Sequence, residues 1–199
     1  MQMGKYIDLH VHTTASDGTL SPSEVVNRAR MMDLAVIAVT DHDTMAGIPE
    51  ALHEAGKVGI KVLPGIEISV EHEPEMHILG YFPGNSYLNM QESLLKKLRD
   101  ARTRRNIKVI NKLNELGFDI SMEDLEKEAS GEIIGRPHIA SVLMKKGYVG
   151  SIREAFDRFL SVGAPAYFSK AKLTPEEGIR EIINAGGIPV VAHPLLLGF

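Results

Sequence analysis

Asp8-Leu9-His10-Val11-His12 is the stretch from which the rest of the chain can be read. The run before it, Lys5 to Leu9, is apolar and β-prone, and Thr13-Thr14-Ala15-Ser16-Asp17-Gly18 after it is turn-like, so a strand is expected to end at the two histidines. Side chains at i and i+2 of a strand share a face, which lets His10 and His12 present two imidazoles to one ion. The C-terminal end of a strand is also where α/β folds keep their ligands.

Moving outward, Ser21-Pro22-Ser23-Glu24 combines an N-cap, a proline at N1 and a capping-box glutamate at N3, predicting a helix to about Met32. Leu34 to Val39 is a continuous apolar run of the kind found in buried parallel strands, and it ends at Thr40-Asp41-His42-Asp43. A second helix is expected from Thr44 to about Gly56, interrupted by Pro49. An extended segment from Ile60 to Val70 follows, with Glu67 inside it, and then a strand from Met76 to Phe82 carrying His77. This order predicts a mainly parallel α/β sheet or barrel.

From residue 84 the pattern changes. Tyr87 to Leu116 has helical periodicity with Gly117 as its stop, and shorter helices are expected at 121–129, 136–146 and 151–160. The β/α rhythm resumes with the capping box Thr174-Pro175-Glu176-Glu177, whose helix stops at Gly186-Gly187. A last strand, Ile188 to Ala192, ends in His193-Pro194. The expected division is therefore a barrel formed by 1–83 and 170–199, with an all-helical insertion at 84–169.

Composition narrows the chemistry. The 199 residues are 44% hydrophobic, enough for one sizeable core with an inserted subdomain. No apolar run approaches the ~20 residues of a membrane span, and Met1 to Lys5 has no signal-peptide pattern, so a cytoplasmic protein with no membrane partner is expected. Cysteine is absent, which excludes disulfides, thiolate nucleophiles and Cys-bound zinc, and leaves an N/O metal site. Residues 84–170 carry 15 Lys or Arg against 11 Asp or Glu, whereas the remainder carries 7 against 15. An acidic scaffold suits cations, and a basic insertion suits an anionic substrate.

Four of the eight histidines (His10, His12, His42, His77) lie in or just after the strands of the first 82 residues, and His193 ends the last strand. Asp8, Asp17, Asp41, Asp43 and Glu67 occur in the same stretches. Imidazole with carboxylate suits Mn, Fe or Zn, and the donors outnumber what one ion can use, so a multinuclear site is inferred. A lone histidine in an apolar strand is more often a satisfied core residue, and Asp41 or Asp43 can equally cap the helix after the second strand. Glu67 is harder to dismiss, because a carboxylate in an apolar strand is costly unless paired or metal-bound. His53 and His72 read as surface residues.

In the insertion, Gly135-Arg136-Pro137-His138 opens a helix, where Arg136 and His138 can meet a phosphate beside free backbone N–H groups, or simply form a capping turn. Arg99, Arg102 and Arg105 recur every three residues, a pattern read here as a solvated helix face.

Taken in order, Asp-Leu-His10-Val-His12, Asp17-Gly18, Thr40-Asp41-His42, the Glu67 strand, His77 and Ala192-His193-Pro194 resemble the motifs of the polymerase-and-histidinol-phosphatase (PHP) phosphoesterases. With Gly-Arg136-Pro-His138, the insertion looks most like the branch that removes the 3′-phosphate of nucleoside 3′,5′-bisphosphates and degrades short RNA from its 5′ end. The resemblance implies a distorted (β/α)7 barrel holding two to three divalent ions, manganese first, with iron or zinc as alternatives. It assigns His10, His12 and Glu67 to one ion, Asp17 and His42 to a second, and Glu67 as a bridge with His77 and His193 to a third. In-line attack on phosphorus is implied, with Arg136 and His138 holding phosphate and the insertion acting as a lid. The family's further Asp-x-His motif is missing before Phe199, so a barrel truncated at its C-terminus, completed by a further segment, or a degenerate member with little activity is expected. Histidinol-phosphate hydrolysis and a catalytically inactive metal-binding module are the competing readings.

Overall fold

The computed structural model describes residues 6–90, 92–129, 133–169 and 173–198. Lys5, expected in the first strand, and residue 170, expected at the insertion boundary, lie outside the described residues. Five strands are found: β1 (Tyr6–Val11), β2 (Leu34–Val39), β3 (Lys61–Val70), β4 (Met76–Tyr81) and β5 (Ile188–Val191), in that spatial order. Helices α1 (Pro22–Met31) and α2 (Ile48–Val58) connect the first three strands, which are parallel. Then come α3 (Glu92–Glu115), α4 (Met122–Glu128), α5 (Arg136–Lys145) and α6 (Ile152–Ala155), which runs into a π turn at Phe156–Leu160. Finally α7 (Pro175–Asn184) leads into β5.

Five strands occur among the described residues, in keeping with the truncated barrel expected, and one correction concerns direction: the sheet is not mainly parallel, because β4 runs antiparallel to both β3 and β5. The reversal follows from the short link between Val70 and Met76, since a parallel return needs a crossover of a dozen or more residues. The sheet is also curled. β3 pairs through Lys61–Pro64 with β2 and through Gly65–Val70 with β4. Gly65 sits at this hand-over, where a Cβ would lie 2.8 Å from Thr40 Cγ2. The curl brings β4 across to β1, which is not its neighbour in the sheet, and Tyr81 Oη donates to Leu9 O at 2.8 Å.

The capping boxes form as expected at Ser21 and Thr174. The second helix differs: it starts at Ile48, so Pro49 lies in its first turn, where a missing N–H costs nothing, and does not interrupt it.

Buried apolar residues fall into three clusters. One joins α1, β2 and α2 through Val26, Ile37 and Ile48; a second joins β3, β4 and α7 through Ile66, Ile78 and Ile182. The third lies among the helices, around Val109, Leu113, Ile139, Leu143 and Leu160. Helix α3 contributes Leu94, Leu95 and Leu98 to the second and Val109, Ile110 and Leu113 to the third. Its buried stripe runs 94, 95, 98, 101, 102, 105, 106, 109, 110, 113, so Arg102, Arg105 and Asn106 fall in phase with it. Leu88, Ile107 and Leu116, within the stretch of expected helical periodicity, are exposed. Among the described residues no helix is long and apolar enough to cross a membrane.

Candidate metal centre and the adjoining cavity

The sheet's curl collects the strand ends around Glu67, whose side chain is 1% exposed. His10 Nε2 and His12 Nε2, at the end of β1, each lie 3.0 Å from Glu67 Oε2 and 3.2 Å from one another. His42 Nδ1 is 3.4 Å from the same oxygen. On the other oxygen, His77 Nδ1 lies at 2.8 Å and His193 Nε2 at 3.3 Å. Asp17 completes the cluster, 3.6 Å from His12 Nδ1 and 3.8 Å from His42 Nε2. The structure thus brings together His10, His12, Asp17, His42, Glu67, His77 and His193, and leaves His53 and His72 on the surface.

Local backbone interactions hold these side chains. Asp43 N–H donates to Glu67 O, and Glu67 N–H to Asp41 O, both at 3.1 Å, binding the segment after β2 to β3. Asp41 neither caps α2, whose N-cap is Gly47, nor joins the cluster. Its carboxylate accepts Thr13 N–H and Thr13 Oγ1–H at 2.7 Å and Ser16 Oγ–H at 2.6 Å, so it buckles the loop that carries Asp17. Gly18 closes that loop by donating to Thr13 O; a Cβ here would lie 2.5 Å from His12 O. His193 is set on the cluster by a left-handed backbone, φ 42°.

Burial and pairing with Glu67 set the electrostatics of the cluster. Burial opposes ionisation of Glu67, but hydrogen bonds from His10, His12 and His77 hold its carboxyl far below the usual carboxylate range. Burial likewise opposes protonation of His12 and His77, and the pairing with Glu67 more than offsets it, leaving both raised. His42, more deeply buried, is pushed down to about 3 and stays neutral, the form a metal requires. His193 is also lowered, chiefly by burial.

Three sets of donors are close enough to share an ion: His10, His12 and Glu67; His12, Asp17 and His42; and His42, Glu67 and His77. His193 lies beside the third set but outside it, a difference from the expected grouping. Donors about 2.1 Å from one ion at right angles would stand about 3.0 Å apart, the spacing seen between these ring nitrogens and Glu67. One further fact fits a cation here: His42 Nδ1 is buried with no hydrogen-bond partner among the described residues.

Asp17, His42 and His77 also line a cavity of about 170 Å³, and Arg102, Arg105 and Arg136 line it with them. Here the reading of Arg99, Arg102 and Arg105 as a solvated face is corrected: Arg102 is 8% and Arg105 5% exposed. Only Arg99, which pairs with Glu92, stays outside this lining. The signal for the inward arginines was present in their phase with Leu98 and Val109, but a charged residue defaults to the outside. Arg102 Nη2 donates to Asp43 Oδ2 at 2.5 Å, and Arg105 Nε donates to Asn106 Oδ1 at 2.9 Å. Arg136 donates to Glu75 Oε2 at 3.0 Å and lies over Tyr167, 5.3 Å from its ring centre. His138 does not line the cavity; its Nδ1 accepts the Gly135 N–H at 3.0 Å, the capping alternative. Tyr167 and Phe168 supply an aromatic wall.

Clustered imidazoles and carboxylates at the strand ends of a curled α/β sheet define a centre suited to several divalent ions. The PHP domain model matches residues 8–169, and the chain belongs to that family. It is 38% identical over 194 residues to a 5′-3′ exoribonuclease of Haemophilus influenzae, covering 97% of this chain and 70% of the relative. It is 36% identical over 195 residues to a 3′,5′-nucleoside bisphosphate phosphatase of Chromobacterium violaceum, covering 94% of this chain and 66% of that protein. Among solved structures, an amidohydrolase from Chromobacterium violaceum with bound sulfate and no metal superimposes with a TM-score of 0.84 at 33% identity. The match covers 96% of this chain and 67% of that one.

Proposed function

We propose that this protein is a metal-dependent phosphoesterase that removes phosphate from a small nucleotide of the nucleoside 3′,5′-bisphosphate type or trims short RNA from its 5′ end. One observation carries the reading: a seven-residue donor cluster around Glu67 opens directly into a cavity faced by three guanidinium groups. The named relatives act on such substrates.

His10, His12 and Glu67 would hold one ion, and Asp17 and His42, with His12 in reach, a second. Glu67, His77 and His193 would hold the third, with His42 alongside. Manganese is the first choice, then iron or zinc, because neutral imidazole and carboxylate serve all three. When bound, such ions polarise phosphoryl oxygens and acidify water. The chain's own part is to place and neutralise the substrate. Arg136, on the rigid first turn of α5, would meet a phosphate oxygen, with His138 fixing that turn. Tyr167 and Phe168 offer faces on which a base can stack. We assign residues 84–169 the role of a lid over the strand ends.

The test is phosphate release from adenosine 3′,5′-bisphosphate, short 5′-phosphorylated RNA and histidinol phosphate, by protein loaded with manganese, iron or zinc and by chelator-stripped protein. Metal-dependent turnover of the first two supports the reading. Preference for histidinol phosphate, or metal binding without turnover of any substrate, would replace it with one of the competing readings.

A further inference from the structure

Two carboxylates line the cavity among the described residues: Asp17 belongs to the donor cluster and Glu75 does not. A carboxylate here repels an incoming phosphate, so Glu75 is a cost unless it serves another purpose. Its two oxygens face two different groups. Glu75 Oε2 accepts from Arg136 Nη2 at 3.0 Å, and Glu75 Oε1 stands 3.7 Å from His77 Nε2. The other ring nitrogen of His77, Nδ1, lies 2.8 Å from Glu67 Oε1. The imidazole is therefore set between two carboxylates, one at each nitrogen.

The chain itself brings Glu75 to His77. Glu75 stands two residues before His77, at the entry to β4, and residues i and i+2 of an extended chain share a face. Arg136 comes from α5 and is also held by Leu160 O, at 3.4 Å, and by the ring of Tyr167. The place of Glu75 beside His77 thus does not depend on Arg136.

An imidazole with one nitrogen on an ion keeps its proton on the other, and that proton is almost always given to a carboxylate, a carbonyl or water. Glu67 is itself in the donor sets, so the carboxylate in position for the Nε2 proton is Glu75. A closure of about 0.7 Å brings this pair to ordinary hydrogen-bond distance.

We propose that Glu75 is a positioning residue that turns His77 so that Nδ1 takes the ion, while its second oxygen fixes the Arg136 guanidinium at a set distance from that ion. This rests on the metal-dependent phosphoesterase reading above. It makes one carboxylate the gauge between the metal centre and the phosphate-holding arginine.

The experiment titrates zinc into the chelator-stripped parent, Glu75→Ala and Glu75→Gln against a competing chelator, and assigns the His77 ring nitrogens of the zinc-loaded parent by nitrogen-15 NMR. Turnover of adenosine 3′,5′-bisphosphate by the manganese-loaded proteins is measured in parallel, with Arg136→Ala for comparison. The parent should show Nδ1 on the metal and the proton on Nε2. Glu75→Ala should weaken one ion about 10- to 100-fold and lower turnover as well, whereas Arg136→Ala lowers turnover alone. Glu75→Gln, which keeps an acceptor oxygen, should recover part of the metal affinity. Metal on Nε2 of His77, or parental zinc affinity in Glu75→Ala, would overturn the proposal. If the loaded parent hydrolyses nothing, the phosphoesterase reading fails, and the zinc affinities and ring assignment still decide the role of Glu75. A parent that binds no zinc overturns both. If Glu75→Ala does not fold, Glu75→Gln and the parent's ring assignment decide: metal on Nδ1 with a weakened ion in Glu75→Gln upholds the proposal, and either result reversed overturns it.

Discussion

The cavity has two walls made in different ways. In one, strands deliver imidazoles and carboxylates at fixed two-residue spacing and at strand ends, and Glu67 draws five ring nitrogens to within 3.4 Å. In the other, helices deliver long cationic side chains from α3 and α5. The strand wall is short-armed and held by backbone pairing, which suits ions that demand geometry to within tenths of an ångström. The helical wall is long-armed, which suits recognition of charge and shape.

If the strand wall is a metal centre, its most damaging change is Glu67→Gln, because that carboxylate belongs to two of the three donor sets. Metal affinity should drop by more than the 10- to 100-fold typical of partners outside the coordination sphere, as read by bound metal per chain after dialysis. Retained metal would show that the histidines suffice and that Glu67 is only their hydrogen-bond acceptor. Asp41→Ala comes next. It removes three hydrogen bonds to a buried carboxylate and should cost about 3 kcal/mol in denaturant unfolding while loosening Asp17. A loss confined to stability, with metal content untouched, would mean that Asp17 needs no buckle.

The helical wall should fail differently. Arg136→Ala is expected to lower kcat/KM about 10- to 150-fold with metal content intact. Metal loss in that variant would erase the distinction between the two walls.

The smallest effect concerns pH. In the metal-free protein, His12 and His77 are raised, so their pairing with Glu67 stabilises the fold fully below the ordinary histidine range and fades as pH rises through the raised values. Metal needs those rings neutral. Stabilisation by added manganese, measured as a melting shift, should therefore grow between about pH 5 and about pH 8. A shift that is flat across this range would remove His12 and His77 from the ligand set.

The strand wall was legible in the sequence because its spacing is local. His10-Val11-His12 needs only the strand period, and the polar ends of β2 and β5 are visible as breaks in apolar runs. Asp41 was legible as important but not in role, since its partners lie 25 and 28 residues away. The helical wall was half hidden. Arg136 announced itself by opening a helix, whereas Arg102 and Arg105 read as surface until their phase with Leu98 and Val109 is weighed against their charge. The reversal of β4 was hidden too, because an apolar run does not state its direction, and only the shortness of the preceding link does.

Helix α3 has one more consequence. Its 24 residues, about 36 Å of rod, are sealed at one end among β3, β4 and α7 and at the other among the helices, with Arg102 and Arg105 between. Neither end can melt without tearing its own hydrophobic seal, so α3 should join the sheet and the helical segment in a single cooperative transition.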